Sequence, residues 1–348
     1  MIPYGLDDAH TLARALLDFG RDVAATVPTA TFDLPAFRLT VATDSGVYAG
    51  LARRALVNDV RLAPAREFHI TVADYATHPE MPRGMWTGES YGRQALHEGL
   101  RPAGFEGNLD IDLRSMQFFD PGVGEGIEVM LKPGDYPPWN ESFPLRNFFH
   151  WAYQSIGWRL VHAATLGIDG AGVLLAGAGG AGKSGTTLAG IIGGLDSVGD
   201  DYVAIEVANG HVTAYPVMRL MKQDAKGLAR LGLDPKARGL GEPNWQDKYE
   251  FDFEDLGAGR RAARIGLKAI LLPRVTHASH TSLRRAKASE VMTALAPNNL
   301  QQLPDGWKEG LAFIGALARA LPAYYLDLSE DPAEIARTIG ALIKEGAA

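Results

Sequence analysis

The sequence contains no cysteine among its 348 residues. This absence excludes disulfide bonds, zinc sites with cysteine ligands and catalysis by a thiol. The chain also lacks an apolar run of about 18 residues, the length that a membrane-spanning helix requires. No signal-peptide pattern opens the chain, because Asp7 and Asp8 follow the start almost at once. We therefore expect a cytoplasmic protein with no membrane partner.

Basic residues are fewer than acidic ones: the chain has 34 Lys and Arg and 41 Asp and Glu, which gives a net charge of -7. This balance argues against a nucleic-acid surface, so no nucleic-acid partner is predicted. Hydrophobic residues make up 46% of the chain and charged residues 22%, as in ordinary soluble enzymes. A chain of this length buries one large core or two modest ones, and a homo-oligomer is compatible with it.

Glycines are abundant in one place, the segment 177–184, which fits the phosphate-loop pattern G-x-x-x-x-G-K-[ST]. The apolar run 172–176 predicts a buried strand before it, and 186–192 predicts a helix after it. Glycines let backbone N–H groups turn toward phosphate at the positive end of such a helix. Lys183 would reach the β- and γ-phosphates, and the Ser184 hydroxyl would contact Mg²⁺. The alternative is a glycine-rich turn that binds nothing.

The cofactors predicted from this loop are ATP and Mg²⁺. The predicted nucleotide-binding residues are Gly177, Ala178, Gly179, Gly180, Ala181, Gly182, Lys183, Ser184, Gly185 and Thr186.

An acidic doublet, Asp200-Asp201, follows Lys183 by seventeen residues. A serine hydroxyl that attacks a γ-phosphorus needs a positioned base, and the metal on the triphosphate needs a carboxylate. Both aspartates and Lys183 are therefore candidate catalytic residues, and Asp200 joins Ser184 as a candidate metal ligand. Adjacent residues of a regular strand point to opposite faces. Both aspartates can therefore face the nucleotide only if a turn starts at the doublet. The alternative is a solvated turn.

Three further side chains are weaker candidates. His162 stands fifteen residues before Gly177 and is either a hydrogen-bonded packing residue or a catalytic group. Lys248 and Arg274 are cations at predicted strand ends, where they could hold phosphate or stabilise transferring charge, although such cations are usually solvated.

The order and spacing of these pieces resembles the catalytic domain of the HPr kinase/phosphorylase family and its wider group of HPr-kinase-related serine kinases. In that family a Leu-His pair precedes the phosphate-loop strand, and a short helix leads to an Asp-Asp pair on the next strand. The matching pieces here are His162, the segment 177–184 and Asp200-Asp201. The resemblance implies a P-loop kinase domain of the HPr kinase type with a mixed sheet, and it places His162 near the phosphates.

The chain departs from the family in two places. Gly185 stands where the family has Glu, and the region 214–222 contains nothing like the second signature E-[IV]-R-G-[LI]-G. That signature goes with the reverse, phosphorolytic reaction. The resemblance therefore implies kinase activity and leaves the reverse reaction and the identity of the acceptor open.

We predict transfer of the γ-phosphate of ATP to a hydroxyl acceptor, in the first place a serine of a protein or peptide. Phosphorylation of a small molecule, such as a free amino acid, is the alternative within enzymes, and an ATP-binding switch without transfer is the alternative outside them. Residues 196–199 fit the D-x-x-G motif of GTPases, but no N-K-x-D motif accompanies it. No ABC signature and no metal-ligand set of phosphoenolpyruvate carboxykinases is found.

The overall prediction is an α/β protein with a strand-rich α+β part at 1–140 and the catalytic domain at 141–348. In the first part, 8–27 predicts an amphipathic helix, and period-two alternation predicts half-exposed antiparallel strands at 37–41, 68–72, 109–113 and 127–131. The break at 132–139, with three prolines, sets the boundary. In the second part, 145–161 predicts a helix, and Asp331-Pro332 with Glu334 predicts the start of a last helix.

Overall fold

The computed structural model describes residues 9–58, 66–83, 96, 99–110, 115–256, 259–304 and 307–346. The chain forms two compact units, Met1–Ile156 and Gly157–Ala348. The observed division lies downstream of the 140/141 boundary that the sequence suggested. Within the described residues, no helix is long and apolar enough to cross a membrane.

The described part of the first unit contains three α-helices, two short 3-10 helices (Arg101–Ala103 and Pro138–Glu141) and six strands. The helices are α1 (Ala9–Ala24), α2 (Gly46–Ala55) and α3 (Arg146–Ser155), and the strands are β1 (Thr29–Leu34), β2 (Phe37–Thr43), β3 (Arg66–Asp74), β4 (Glu106–Asp110), β5 (Ser115–Asp120) and β6 (Glu125–Met130). The strands form one sheet in the order β1-β2-β3-β6-β5-β4.

This sheet is mixed, so the prediction of antiparallel strands is wrong at its centre. Strand β3 pairs in parallel with both β2 and β6, while the other pairs are antiparallel. The reason lies in burial, because the central strands carry buried residues in succession, as at Ile70, Thr71 and Val72. Such strands are covered on both faces, which is typical of parallel pairing. Of the predicted strand 109–113, residues 111–113 lie outside the described part.

Helix α3 explains the position of the unit boundary. Its aromatic side chains pack on the sheet of the first unit, with Phe119 stacked on Trp151 and Phe37 against Phe149. The predicted helix 145–161 is too long, because Gly157 adopts a left-handed φ of 82° that ends the helical conformation. The chain then enters a strand at Arg159.

The described part of the second unit contains five α-helices, one short 3-10 helix (Phe253–Leu256) and ten strands. Its strands are β7 (Arg159–Val161), β8 (Ala164–Ile168), β9 (Ala171–Leu175), β10 (Val203–Ala208), β11 (His211–Tyr215), β12 (Leu220–Asp224), β13 (Lys248–Asp252), β14 (Ile265–Ala278), β15 (Ser282–Ala286) and β16 (Ala323–Ser329). Its helices are α4 (Lys183–Ile192), α5 (Ala225–Arg230), α6 (Ala288–Gln302), α7 (Trp307–Ala320) and α8 (Pro332–Glu345).

A mixed eight-stranded sheet organises the second unit. Strands β9 and β16 both pair in parallel with the long strand β14, and the remaining pairs are antiparallel. Strands β12 and β13 form a separate two-stranded ribbon. The expected mixed α/β architecture is therefore present, with the end of β9 placed where a loop can lead into α4.

Helices cover both faces of this sheet. One core joins α4 and α8 to the sheet through residues such as Leu188, Ile191 and Ile339. A second core joins α6 and α7 through Leu295 and Leu317. This three-layer arrangement anchors the start of α4 and the end of α6, which are the two helix ends that build the candidate site.

Candidate phosphate-binding site

The candidate phosphate loop, residues 177–184, connects β9 to α4. The predicted strand is present at Ala171–Leu175, and the helix begins at Lys183, earlier than predicted. Gly180 and Gly182 adopt left-handed φ values of 81° and 97°, a conformation that a side chain would disfavour. The first bond of the helix runs from the Thr186 amide to the Gly182 carbonyl at 2.9 Å. The N–H groups ahead of Thr186 have no partner within the helix and can meet an anion.

Lys183 lies in the loop with its ammonium turned back onto it. Its Nζ donates to the Gly177 carbonyl oxygen at 2.7 Å, and the residue is 8% exposed. Burial lowers the pKa of Lys183, and the charges of Asp200 and Asp201 oppose that effect. The ammonium is thus held between the loop and the acidic doublet.

Asp200 is almost fully buried, with 2% of its surface exposed. The Ser184 hydroxyl hydrogen-bonds its carboxyl group. Its Oδ1 atom has no hydrogen-bond partner among the residues that the structure describes. Burial raises the pKa of Asp200, and the neighbouring charge of Asp201 raises it further. A buried carboxyl oxygen without a donor is a position where a cation would be stabilised.

Asp201 occupies the turn that both aspartates need. Its φ is 74°, in the left-handed region that Asp tolerates better than most residues, and the Tyr202 amide donates to the Asp200 carbonyl at 2.9 Å. Strand β10 begins only at Val203. The doublet therefore precedes the strand instead of continuing it, and the two carboxylates are free of strand alternation.

Both oxygens of Asp201 contact cationic or ring N–H groups. Lys222 Nζ donates to Oδ2 at 2.9 Å, and His162 Nε2 lies 3.1 Å from Oδ1. Burial pushes the pKa of Asp201 upward, but Lys222 and His162 outweigh it and hold that pKa well below its usual range. The same ion pair raises the pKa of Lys222 against its own burial. Asp201 is thus a fixed, charged carboxylate.

His162 is held from the far side by the end of α6. Its Nδ1 lies 2.8 Å from Gln302 Oε1, and its backbone amide donates to Asn299 Oδ1 at 2.8 Å. One residue earlier, Asn298 reaches the Gly177 carbonyl at 3.4 Å. The end of α6 therefore contacts both the phosphate loop and the histidine beside Asp201.

The two strand-end cations have different environments. Arg274 forms a two-point ion pair with Asp327, at 2.6 Å and 2.8 Å, and its guanidinium lies over the Tyr325 ring. Lys248 forms no side-chain ion pair or hydrogen bond with the residues that the structure describes. Asp327 and Tyr325 therefore hold Arg274, and its phosphate contact stays a prediction.

The residues present fit a magnesium ion that arrives with a nucleotide. The described residues contain no group of three or more His, Asp or Glu that could hold a metal alone. Mg²⁺ is commonly bound by one or two carboxylates together with substrate phosphates and water. Ser184 and the unpartnered Oδ1 of Asp200 would supply the protein part of such a site.

The structure brings together the predicted set Lys183, Ser184, Asp200, Asp201 and His162, whose chemical roles stay predictions. It also adds residues that the sequence reasoning did not single out: Lys222, Asn298, Asn299 and Gln302. Lys222 belongs to a strand with no local motif, and the three α6 residues are far from the doublet along the chain. Only the tertiary pairing of β12 with β13 and the packing of α6 reveal them.

No model of a protein family matches the chain, and no curated protein matches its sequence at a significant level. Among solved structures, the chain is similar to an HPr(Ser) kinase/phosphatase from Coxiella burnetii, with 15% sequence identity and a TM-score of 0.28. That similarity covers 54% of this chain and 95% of the other. A TM-score of this size supports no functional argument, so the case for a function rests on the site itself.

Proposed function

We propose that this protein is an ATP- and Mg²⁺-dependent kinase that transfers the γ-phosphate to a hydroxyl acceptor, in the first place a serine of a protein or peptide. One observation carries the proposal. The buried Asp200 carboxyl accepts the Ser184 hydroxyl at the start of the phosphate-loop helix, and its Oδ1 atom has no partner among the described residues. Asp201 next to it is fixed by Lys222 and His162. A glycine-rich turn that bound nothing would gain no stability from burying the Asp200 carboxyl with one oxygen unpaired.

The nucleotide would bind at the loop and the first turn of α4. Free N–H groups there would donate hydrogen bonds to the phosphates, and Lys183 would exchange the Gly177 carbonyl for β- and γ-phosphate oxygens. Ser184 and Asp200 would hold Mg²⁺, which neutralises charge on the triphosphate. The positive Lys183 and the buried Asp200 are complementary to these two partners.

Asp201 would orient the acceptor and take its proton. Each carboxylate oxygen has two lone pairs. Asp201 can therefore accept a hydrogen bond from the hydroxyl of the substrate while Lys222 and His162 stay bound. The acceptor oxygen then forms a bond to the γ-phosphorus as the bond from phosphorus to the β,γ-bridging oxygen breaks. The hydroxyl proton goes to Asp201, and ADP leaves. In a loose phosphoryl-transfer transition state, positioning counts for more than the strength of the base.

The test begins with nucleotide binding. Calorimetry of the full chain with Mg·ATP should show binding that Lys183→Ala reduces by about tenfold or more, since a charge-assisted phosphate contact is lost. Lys226→Ala is the matched control, because Lys226 is exposed on α5 and should leave the affinity unchanged.

The second step looks for transfer. The protein is incubated with γ-labelled ATP and a lysate, and labelled serines are located by mass spectrometry, with Lys183→Ala as the blank. Binding without any Lys183-dependent label would leave an ATP-binding switch, and label on a metabolite would identify a small-molecule kinase. No binding of ATP by the folded protein would overturn the proposal.

A further inference from the structure

Lys248 lies on the face of the β12–β13 ribbon from which Lys222 contacts Asp201 of the acidic doublet. In the antiparallel register, Lys222 is opposite Glu250 and Lys248 is opposite Asp224. Directly opposite residues share one face of a ribbon, and so do residues two positions apart on a strand. Lys248 is therefore on the same face as Lys222, whose ammonium reaches Asp201.

The ribbon also lies against the first turn of α4. A Cβ atom placed on Gly185 would stand 3.4 Å from the side-chain nitrogen of Gln223, the last but one residue of β12. Strand alternation places Gln223 on the other face of the ribbon from Lys222. The ribbon thus borders both the acidic doublet, through Lys222, and the first turn of α4, through Gln223.

This region contains a cation, Lys248, whose side chain has no partner among the described residues. Within the described ranges, Lys248 has no ion pair, although Asp224 stands directly across the ribbon. Asp224 instead uses its Oδ1 to cap α5, accepting the Gly227 amide at 2.6 Å. A partly buried lysine without a counter-ion is stabilised when an anion binds beside it.

We propose that Lys248 binds the terminal phosphate of the nucleotide and stabilises the charge that spreads over the phosphoryl group during transfer. This inference rests on the proposed function and adds a second cation from outside the phosphate loop. Lys183 would contact both the β- and γ-phosphates, whereas Lys248 would contact the γ-phosphate alone. Lys248 would therefore give the site a preference for ATP over ADP.

The experiment compares the two nucleotides. Kd values of the full chain for Mg·ATP and Mg·ADP are measured by calorimetry for wild type and Lys248→Gln. We expect the Mg·ATP affinity to fall by about tenfold or more, the effect of one lost charge-assisted contact, while the Mg·ADP affinity changes by less than about twofold. Lys248→Arg, which keeps the charge, should retain most of the preference.

The controls separate the possible failures. Lys226→Gln removes the same charge from an exposed position on α5 and should change neither affinity. Unchanged Mg·ADP binding also shows that Lys248→Gln is folded, because ADP uses the same loop. Equal losses for both nucleotides, or no loss for either, would overturn the role of Lys248 alone. A wild-type protein that binds neither nucleotide would overturn the proposed function instead.

Discussion

At the residue scale, two adjacent aspartates have opposite electrostatic environments. Burial and the charge of Asp201 raise the pKa of Asp200, whereas Lys222 and His162 hold the pKa of Asp201 low against its burial. The turn at Asp201 creates this difference, because it releases the doublet from strand geometry. Among the described residues, Asp200 has one oxygen without a donor, whereas both oxygens of Asp201 have a partner. The first arrangement suits a metal ligand and the second suits a positioned base.

Substitution of each aspartate by asparagine should separate these roles. Asparagine keeps the size of the side chain but cannot carry its charge, so each variant should lower phosphate transfer by a factor of about 10² or more, with a smaller change in ATP affinity. Asp200→Asn should require more Mg²⁺ for half-maximal rate, whereas added Mg²⁺ should not rescue Asp201→Asn. The measurement is a Mg²⁺ titration of the initial rate with the acceptor found in lysate.

Reversed Mg²⁺ responses would exchange the two assignments. Wild-type rates in both variants would show that the doublet is a structural turn. His162→Gln provides a comparison, because it removes one partner of Asp201 and leaves Lys222 in place.

The parts of the candidate site that lie in short sequence motifs were predictable. The motif of the loop and the spacing of the doublet predicted that Lys183 and Asp200 lie in one site, and in the structure their charges interact. The groups that fix Asp201 were not predictable, because Lys222 and Gln302 reach it through strand pairing and helix packing. Arg274 shows the converse, since its ion pair with Asp327 depends on the neighbouring strand β16.

At the element scale, helices with strong end signals were predicted and others were missed. Asp331 caps α8 by accepting the Ala333 amide at 2.9 Å, with Pro332 in the first turn, as the sequence indicated. Helix α6 has Lys287 at its N-cap and Pro297 in its interior, both unfavourable for a sequence-based prediction. Strand β14 continues through Pro273, where only β16 pairs with it, so the missing N–H disturbs no second ladder.

The packing of α4 against the sheet depends on Gly190. A Cβ atom on Gly190 would lie 2.4 Å from Leu166 Cδ1 and 2.7 Å from its Cδ2, in the buried core. Gly190→Ala should therefore destabilise the second unit by about 1–3 kcal/mol, as overpacking does. It should also weaken nucleotide binding, because α4 carries Lys183 and Ser184 in its first turn.

Gly340→Ala is the matched control in helix α8 of the same unit. Its added Cβ would meet Ile168 Cδ1 at 3.6 Å, an ordinary contact, and Ala favours a helix over Gly by about 0.5–1 kcal/mol. We expect a neutral or stabilising effect. Urea titrations read by hydrogen exchange of peptides from β9 measure both variants, and equal stabilities would refute the role assigned to Gly190.

At the scale of the whole molecule, each unit contains its own core, and every residue of the candidate site belongs to the second unit. The sequence placed the boundary at 140/141 because 132–139 is rich in turn residues. Turn chemistry marks a bend but does not show which core the next helix joins. The aromatic contacts of α3 with Phe37 and Phe119 show it.

Two fragments test where the second unit begins. A fragment of residues 157–348 should be soluble and bind Mg·ATP within about threefold of the full chain, a difference of under 1 kcal/mol. A fragment of residues 141–348 adds α3 without the sheet that buries Phe148, Phe149, Trp151 and Tyr153. That apolar face would be exposed, so this longer fragment should aggregate and bind a hydrophobic dye. Light scattering and calorimetry compare the two, with Lys183→Ala in the shorter fragment as the binding blank. If the longer fragment is the better behaved, α3 stabilises the second unit and the boundary belongs near residue 140.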